Sequence, residues 1–103
     1  MLILKPSKIH GVGVFTTTPI KIGVALPLFD EHDWDRIEKP YGHKRRYCVK
    51  EKTHYYCPQN WNRMSIGWYI NDSKTPNIEV TNWSTIHYIA SGSELLIDYR
   101  DLE

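Results

Sequence analysis

The chain has 103 residues, which is enough for one domain with a modest core and too few for two. Its 13 Lys and Arg residues nearly balance 12 Asp and Glu residues, so the net charge of +1 is too small to hold nucleic acid or an anionic membrane without specific contacts. We therefore expect a single domain over 1–103 whose partners include neither nucleic acid bound directly nor a membrane.

The opening run of four apolar residues is interrupted at once by a lysine and a proline, far short of a signal-peptide core or a membrane span. The expected location is intracellular, and cytoplasmic if the source is bacterial. Cys48 and Cys57 are then expected to be reduced. With His43 and His54 they make four potential zinc ligands, but no C-x-x-C or H-x-x-x-H pair is present, so no metal site is predicted.

Six prolines divide the chain into short pieces, which favours strands. Strands are predicted at 2–5, 11–20 and 23–29, and Pro27 indicates an edge or a bulge in the third. The polar stretch 30–46 is expected to be a loop with at most one helical turn.

In the second half, aromatic and β-branched residues at 46–51 and 53–58 flank a charged tip and predict a β-hairpin. A short helix is predicted within 60–70. Two further β runs are expected within 84–99, separated by a turn at Gly92. The predicted class is mainly β.

Three separated stretches carry the strongest functional signal: SKIHGVGVFTTTPIKIG (7–23), INDSKTPN (70–77) and GSELLIDY (92–99). Each is a weak signal alone, because a lone G-x-G pair and a Pro-Asn turn are common. In this order they resemble the SET domain, whose motifs look like S-x-x-x-G-x-G-V-F-A, I-N-H-S-x-x-P-N and G-E-E-L-x-x-D-Y. The resemblance spans nearly the whole chain and is closest to the minimal SET domains of viruses and bacteria.

The resemblance implies a protein-lysine N-methyltransferase that uses S-adenosylmethionine as methyl donor and a protein substrate presenting a lysine. It implies a fold of small curved β-sheets with at most one or two short helices and a knot-like crossing near the C terminus. That crossing would bring 71–77 against 95–99. Nothing in the chain resembles the zinc-bearing tail of some relatives, so another element, such as a second copy of the chain in a homodimer, is needed to close the lysine channel.

The resemblance also assigns the donor site. Gly11 and Gly13, with the neighbouring main chain of His10 and Val12, match the G-x-G pair that approaches the donor, and the alternative is a strand bulge. Asn71 matches the Asn whose amide binds the amino-acid part of the donor.

Asp72 replaces the motif's His and departs from the pattern. Its carboxylate could pair with the positive charge of the donor, or could be desolvated with no compensating contact. It is kept as a donor-site residue because its main-chain contacts could survive the replacement.

Two tyrosines are the predicted catalytic residues. Tyr99 matches the motif's terminal tyrosine at the active site, and Tyr47 lies where relatives often have a channel tyrosine. The alternative for Tyr99 is a core tyrosine of a strand. Tyr69 is expected in the core, and Val80 lies near the far end of the predicted channel, where a small side chain leaves room for higher methylation states.

The other motif residues are expected to be structural. Ser73, Pro76 and Asn77 shape the polar turn, Glu94 is a turn residue, and Asp98 supports the crossing.

Two other functions remain open. One is a SET-like module that has lost catalysis and binds a protein tail, which the replacement at Asp72 favours. The other is an aromatic platform for single-stranded nucleic acid beside the basic group at 44–46, which the near-neutral charge disfavours.

Overall fold

The computed structural model describes residues 1–29, 34–37, 49–51, 54–58 and 64–102. These ranges are mainly β, as predicted, and their helical content is limited to two 3₁₀ helices, Ile66–Tyr69 and Tyr99–Leu102. The strands of the described ranges are β1 (Leu2–Pro6), β2 (Val12–Thr16), β3 (Trp34–Ile37), β4 (Val49–Glu51), β5 (His54–Pro58), β6 (Asn71–Asp72), β7 (Ile78–Glu79), β8 (Ser84–Thr85) and β9 (Glu94–Ile97).

A four-stranded sheet with the strand order β1-β2-β9-β6 joins the two ends of the chain. β1 pairs antiparallel with β2, and β2 pairs antiparallel with β9 through Val14↔Leu95 and Phe15↔Glu94. Successive side chains of a strand point to opposite faces, so Val14 and Leu95 share one face while Phe15 and Glu94 share the other. The sheet therefore has a core face and an opposite, more polar face.

The core lies against the first of these faces. Val14 and Leu95 are fully buried, and burying aliphatic side chains of this size stabilises a fold by about 1.5–3 kcal/mol each. The core cluster consists of Val14, Leu28, Ile70, Ile78, Ile89, Leu95, Ile97 and Leu102. Because its members come from strands, loops and the C-terminal 3₁₀ helix, the motif segments pack around one centre.

A second sheet has the strand order β3-β5-β4. The antiparallel pairing of β4 with β5 confirms the predicted hairpin. The prediction of loop over 30–46 is wrong at β3, since Trp34–Ile37 pairs with β5 and so obtains a ladder of hydrogen bonds that local polarity did not indicate. Cys57 in β5 is fully buried and disulfide-bonded, so the expectation of a reduced thiol is wrong there.

The predicted strand over 23–29 is also wrong. Within it only Ala25 makes an isolated bridge, to Ser84, and Leu28 N–H donates back to the carbonyl of Leu26 at 2.9 Å. Pro27 between them has no N–H to donate, so the segment cannot continue as a ladder.

The predicted helix within 60–70 is a single 3₁₀ turn, Ile66–Tyr69, and residues 60–63 lie outside the described ranges. Gly67 in this turn is buried, and a side chain there would overlap the ring of Phe29 and the carbonyl of Leu28. A glycine is therefore needed where the two segments meet.

The predicted crossing is present. β6 pairs in parallel with β9 through Asn71↔Leu96 and Asp72↔Ile97, so 71–77 lies against the C-terminal strand as predicted. The side chain of Asn77 adds two hydrogen bonds to the same strand: Nδ2 donates to the carbonyl of Glu94 at 2.9 Å, and Oδ1 accepts from the N–H of Leu96 at 2.8 Å.

Among the residues that the structure describes, no helix is long and apolar enough to span a membrane.

Candidate donor and lysine site

The loop before β2 is organised by Ser7. Its hydroxyl accepts from Ile9 N–H at 3.0 Å, and its main-chain N–H donates to the carbonyl of Gly11 at 2.8 Å. The same hydroxyl donates to the carboxylate of Glu94, at 2.8 Å to Oε1 and 3.0 Å to Oε2. One side chain therefore closes the loop and attaches it to β9.

The amide of Asn71 lies against this loop. Nδ2 donates to the carbonyls of His10 and Val12, each at 3.1 Å, and to Oε2 of Glu94 at 2.9 Å. All three partners can only accept, so the orientation of the amide is determined: the NH₂ group faces the loop.

The oxygen of that amide has no hydrogen-bond partner among the described residues. Asn71 is 7 % exposed, and none of the hydrogen bonds among the described residues uses its Oδ1. An acceptor at a nearly buried position beside the G-x-G main chain suits a ligand that carries an ammonium group.

Glu94 is the residue that sequence reasoning missed. It was expected in a turn, but it lies in β9 with its carboxylate shared by Ser7 and Asn71. A side chain on Gly13 would overlap this carboxyl group and touch Asn71 Nδ2. The match of Glu94 to the second Glu of the G-E-E-L motif was the available signal, but its partner Ser7 lies 87 residues away in the sequence.

Tyr99 is held at both ends by the residues that flank Asn71. Its phenol donates to the carbonyl of Ile70 at 2.5 Å, and its main-chain N–H donates to Oδ1 of Asp72 at 2.8 Å. The phenol therefore contacts the main chain of the residue just before Asn71, which carries the predicted amide. Tyr99 is 46 % exposed, which is unlike a core tyrosine.

Burial raises the pKa of the Tyr99 phenol, and the negative charge of Asp72 raises it further. The phenol therefore stays protonated at neutral pH, and its O–H donates to the carbonyl of Ile70. What it offers a ligand is the lone pairs of its oxygen, so it can accept a hydrogen bond but is a poor general base.

Asp98 stabilises the turn that carries Tyr99. Its carboxylate accepts from the main-chain N–H of Arg100 at 3.0 Å and forms an ion pair with the Arg100 guanidinium at 2.5 Å. Hydrogen bonds from the Arg100 side chain and main chain lower the pKa of Asp98 to about 2. Asp98 was expected to support the crossing, but these side-chain contacts lie within the C-terminal turn.

The remaining predicted residues are placed as follows. Tyr47 lies outside the described residues. Tyr69 packs against the core, as expected, and its hydroxyl lies 3.9 Å from Met64 Sδ. Val80 is half-buried and packs against the same core. In the part of the chain that the structure describes, no group of three or more His, Cys, Asp or Glu side chains could hold a metal ion.

Comparison with known proteins places the fold. No family model and no curated protein matches the chain. Among solved structures 44 chains match. One is a crystal structure of a Plasmodium falciparum protein provisionally named a histone methyltransferase; it is 20% identical, with a TM-score of 0.61, and the match covers 95% of this chain and 91% of that one. The fold is SET-like. The narrower viral or bacterial type stays a prediction.

Proposed function

We propose that the chain is a protein-lysine N-methyltransferase that uses S-adenosylmethionine and acts on a protein substrate presenting a lysine. The observation that carries the proposal is that the Asn71 amide lies on the main chain of the G-x-G loop, while the Tyr99 phenol donates to the carbonyl of Ile70, the residue before Asn71. The SET-like fold supports it, and the name of the Plasmodium falciparum protein supports methyl transfer as the reaction class.

The residues present suit the donor. Oδ1 of Asn71 would accept from the ammonium of its amino-acid part, beside the main chain of His10–Gly13. The Glu94 carboxylate, 2.9 Å from Asn71 Nδ2, makes the local potential negative, which favours a positively charged ligand. When bound, the donor supplies a methyl group on a sulfonium, a carbon already open to attack by an amine.

The substrate amine must lose its proton first. A lysine ammonium has a pKa of about 10.4, so near pH 7.4 only about one in a thousand is neutral, and delivering the free amine costs about 4 kcal/mol. An apolar channel lowers that pKa by desolvation, and a nearby positive charge lowers it further by repulsion. The predicted channel residue Tyr47 would contribute an aromatic wall.

Tyr99 would orient the amine. Because the phenol O–H donates to the carbonyl of Ile70, the phenol oxygen would accept an N–H of the amine. That hydrogen bond would direct the nitrogen lone pair away from the ring. Its raised pKa keeps it neutral, so its contribution is alignment and not proton removal.

Two measurements test the proposal. Calorimetry with S-adenosylmethionine is expected to show binding that Asn71→Ala abolishes and Asn82→Ala, a change at an exposed turn residue, preserves. Incubation with methyl-labelled donor and a mixed protein extract is expected to label a protein, with mass spectrometry placing the methyl group on a lysine.

The outcomes separate the alternatives. Binding with transfer supports the proposal. Binding without transfer to any protein favours the SET-like binding module, and absence of donor binding removes the methyltransferase altogether.

A further inference from the structure

Asp72 stands where the SET motif has His, and its side chain has a definite partner within the chain. Oδ1 accepts the main-chain N–H of Tyr99 at 2.8 Å, across 27 residues of sequence. This N–H is the first of the 3₁₀ helix Tyr99–Leu102, and the first N–H groups of a helix have no acceptor within it. Asp72 therefore caps this helix from a separate strand.

The two residues of β6 serve different sides of the sheet. The amide of Asn71 is directed to the loop before β2 and to Glu94, whereas the carboxylate of Asp72 is directed to the C-terminal 3₁₀ helix. Side chains of adjacent strand residues point to opposite faces, which accounts for this division.

We propose that Asp72 is a positioning residue: its carboxylate holds the main chain of Tyr99 while the carbonyl of Ile70 holds the phenol, so that the phenol oxygen stays at a set distance from the Asn71 amide. The catalytic part of this inference rests on the proposed function. A misplacement of about 1 Å in a catalytic group can cost about a hundredfold in rate, so a residue with no contact to the substrate can still control turnover.

Two substitutions separate the hydrogen bond from the charge. Asp72→Asn keeps an oxygen that can accept from Tyr99 N–H, whereas Asp72→Ala removes it. We expect Asp72→Ala to lower kcat about tenfold, with KM for S-adenosylmethionine changed less than twofold, and Asp72→Asn to restore most of kcat.

The pKa of the Tyr99 phenol gives a readout that does not need methyl transfer. It is measured by NMR with ¹³C-labelled tyrosine, and the signal is assigned from its absence in Tyr99→Phe. Because the charge of Asp72 contributes to raising this pKa, Asp72→Asn is expected to lower it. Asp101→Asn removes the same charge from an exposed position in the same 3₁₀ helix and is expected to leave it unchanged.

Three results would overturn the inference: a kcat of Asp72→Ala within twofold of wild type, a kcat of Asp72→Asn as low as that of Asp72→Ala, or a loss confined to donor binding. A wild-type protein that transfers no methyl group refutes the proposed function instead, and the NMR titration still decides whether the carboxylate acts on Tyr99.

Discussion

Replacing Asn77 by alanine removes the two hydrogen bonds by which its own side chain holds the 71–77 loop onto β9. The carbonyl of Glu94 and the N–H of Leu96 lose their partners at 2.9 and 2.8 Å, while the main-chain bond from Asn77 N–H to the Leu96 carbonyl at 3.1 Å remains. A buried polar group left without a partner costs about 1–3 kcal/mol. Because β9 is partly buried here, we expect Asn77→Ala to lower the free energy of unfolding by about 2–4 kcal/mol.

Urea denaturation followed by tryptophan fluorescence measures this change, since the chain has 4 Trp. Asn82→Ala, at an exposed turn residue, is the matched control and is expected to stay within about 0.5 kcal/mol of wild type.

Asn77→Asp keeps the acceptor for the N–H of Leu96 but sets a carboxylate against the Glu94 carbonyl. Its loss of unfolding free energy should therefore be smaller at acid pH, where the protonated side chain can donate to that carbonyl. A loss below about 0.5 kcal/mol for Asn77→Ala would refute the view that this side chain holds the crossing together.

Three other changes test other parts of the site. Tyr99→Phe is expected to keep the fold and most donor affinity but to lower turnover about a hundredfold, measured by labelled methyl transfer. Gly13→Ala displaces the Glu94 carboxyl group and is expected to weaken donor binding in calorimetry and to lower the free energy of unfolding by about 1–3 kcal/mol. Asp98 has a folded pKa of about 2, below its ordinary value, so it stabilises the fold above about pH 4 and this contribution is lost as the pH falls toward 2. The difference in unfolding free energy between wild type and Asp98→Asn should therefore shrink over that range.

Each of these expectations has a contrary result. Turnover of Tyr99→Phe equal to wild type would remove the phenol from the active site. A Gly13→Ala protein with normal donor affinity and stability would show that the Glu94 carboxyl group has room to move. If the difference in unfolding free energy between wild type and Asp98→Asn is constant from pH 5 to pH 2, this carboxylate is not paired in the folded protein.

The motif order predicted the main spatial relation of the site from sequence. The segment 71–77 lies against the C-terminal strand, as expected. Such a relation is predictable because it depends on backbone pairing between segments whose order along the chain was already visible.

The details that depend on single distant contacts could not be predicted. Glu94 reaches Ser7 across 87 residues, and the partner of the Asp72 carboxylate is a main-chain N–H, which every residue except proline possesses. Neither contact leaves a local pattern in the sequence.

The errors in secondary structure have the same origin. β3 consists of mixed apolar and charged residues and becomes a strand because β5 supplies its hydrogen bonds. The apolar stretch 23–29 has the composition of a strand, but Pro27 removes a donor in its middle. The disulfide at Cys57 was missed because an intracellular location disfavours disulfides and the sequence does not show which cysteines lie close together.

We propose that S-adenosylmethionine binds beside the loop before β2, Asn71 and Tyr99. A titration of ¹⁵N-labelled protein with S-adenosylmethionine, followed by the backbone amide shifts, tests this binding site. We predict that the largest shifts occur at 10–13, 71–72 and 99, and that they saturate together. No shifts at all, or shifts confined to residues around the isolated bridge between Ala25 and Ser84, would refute this binding site.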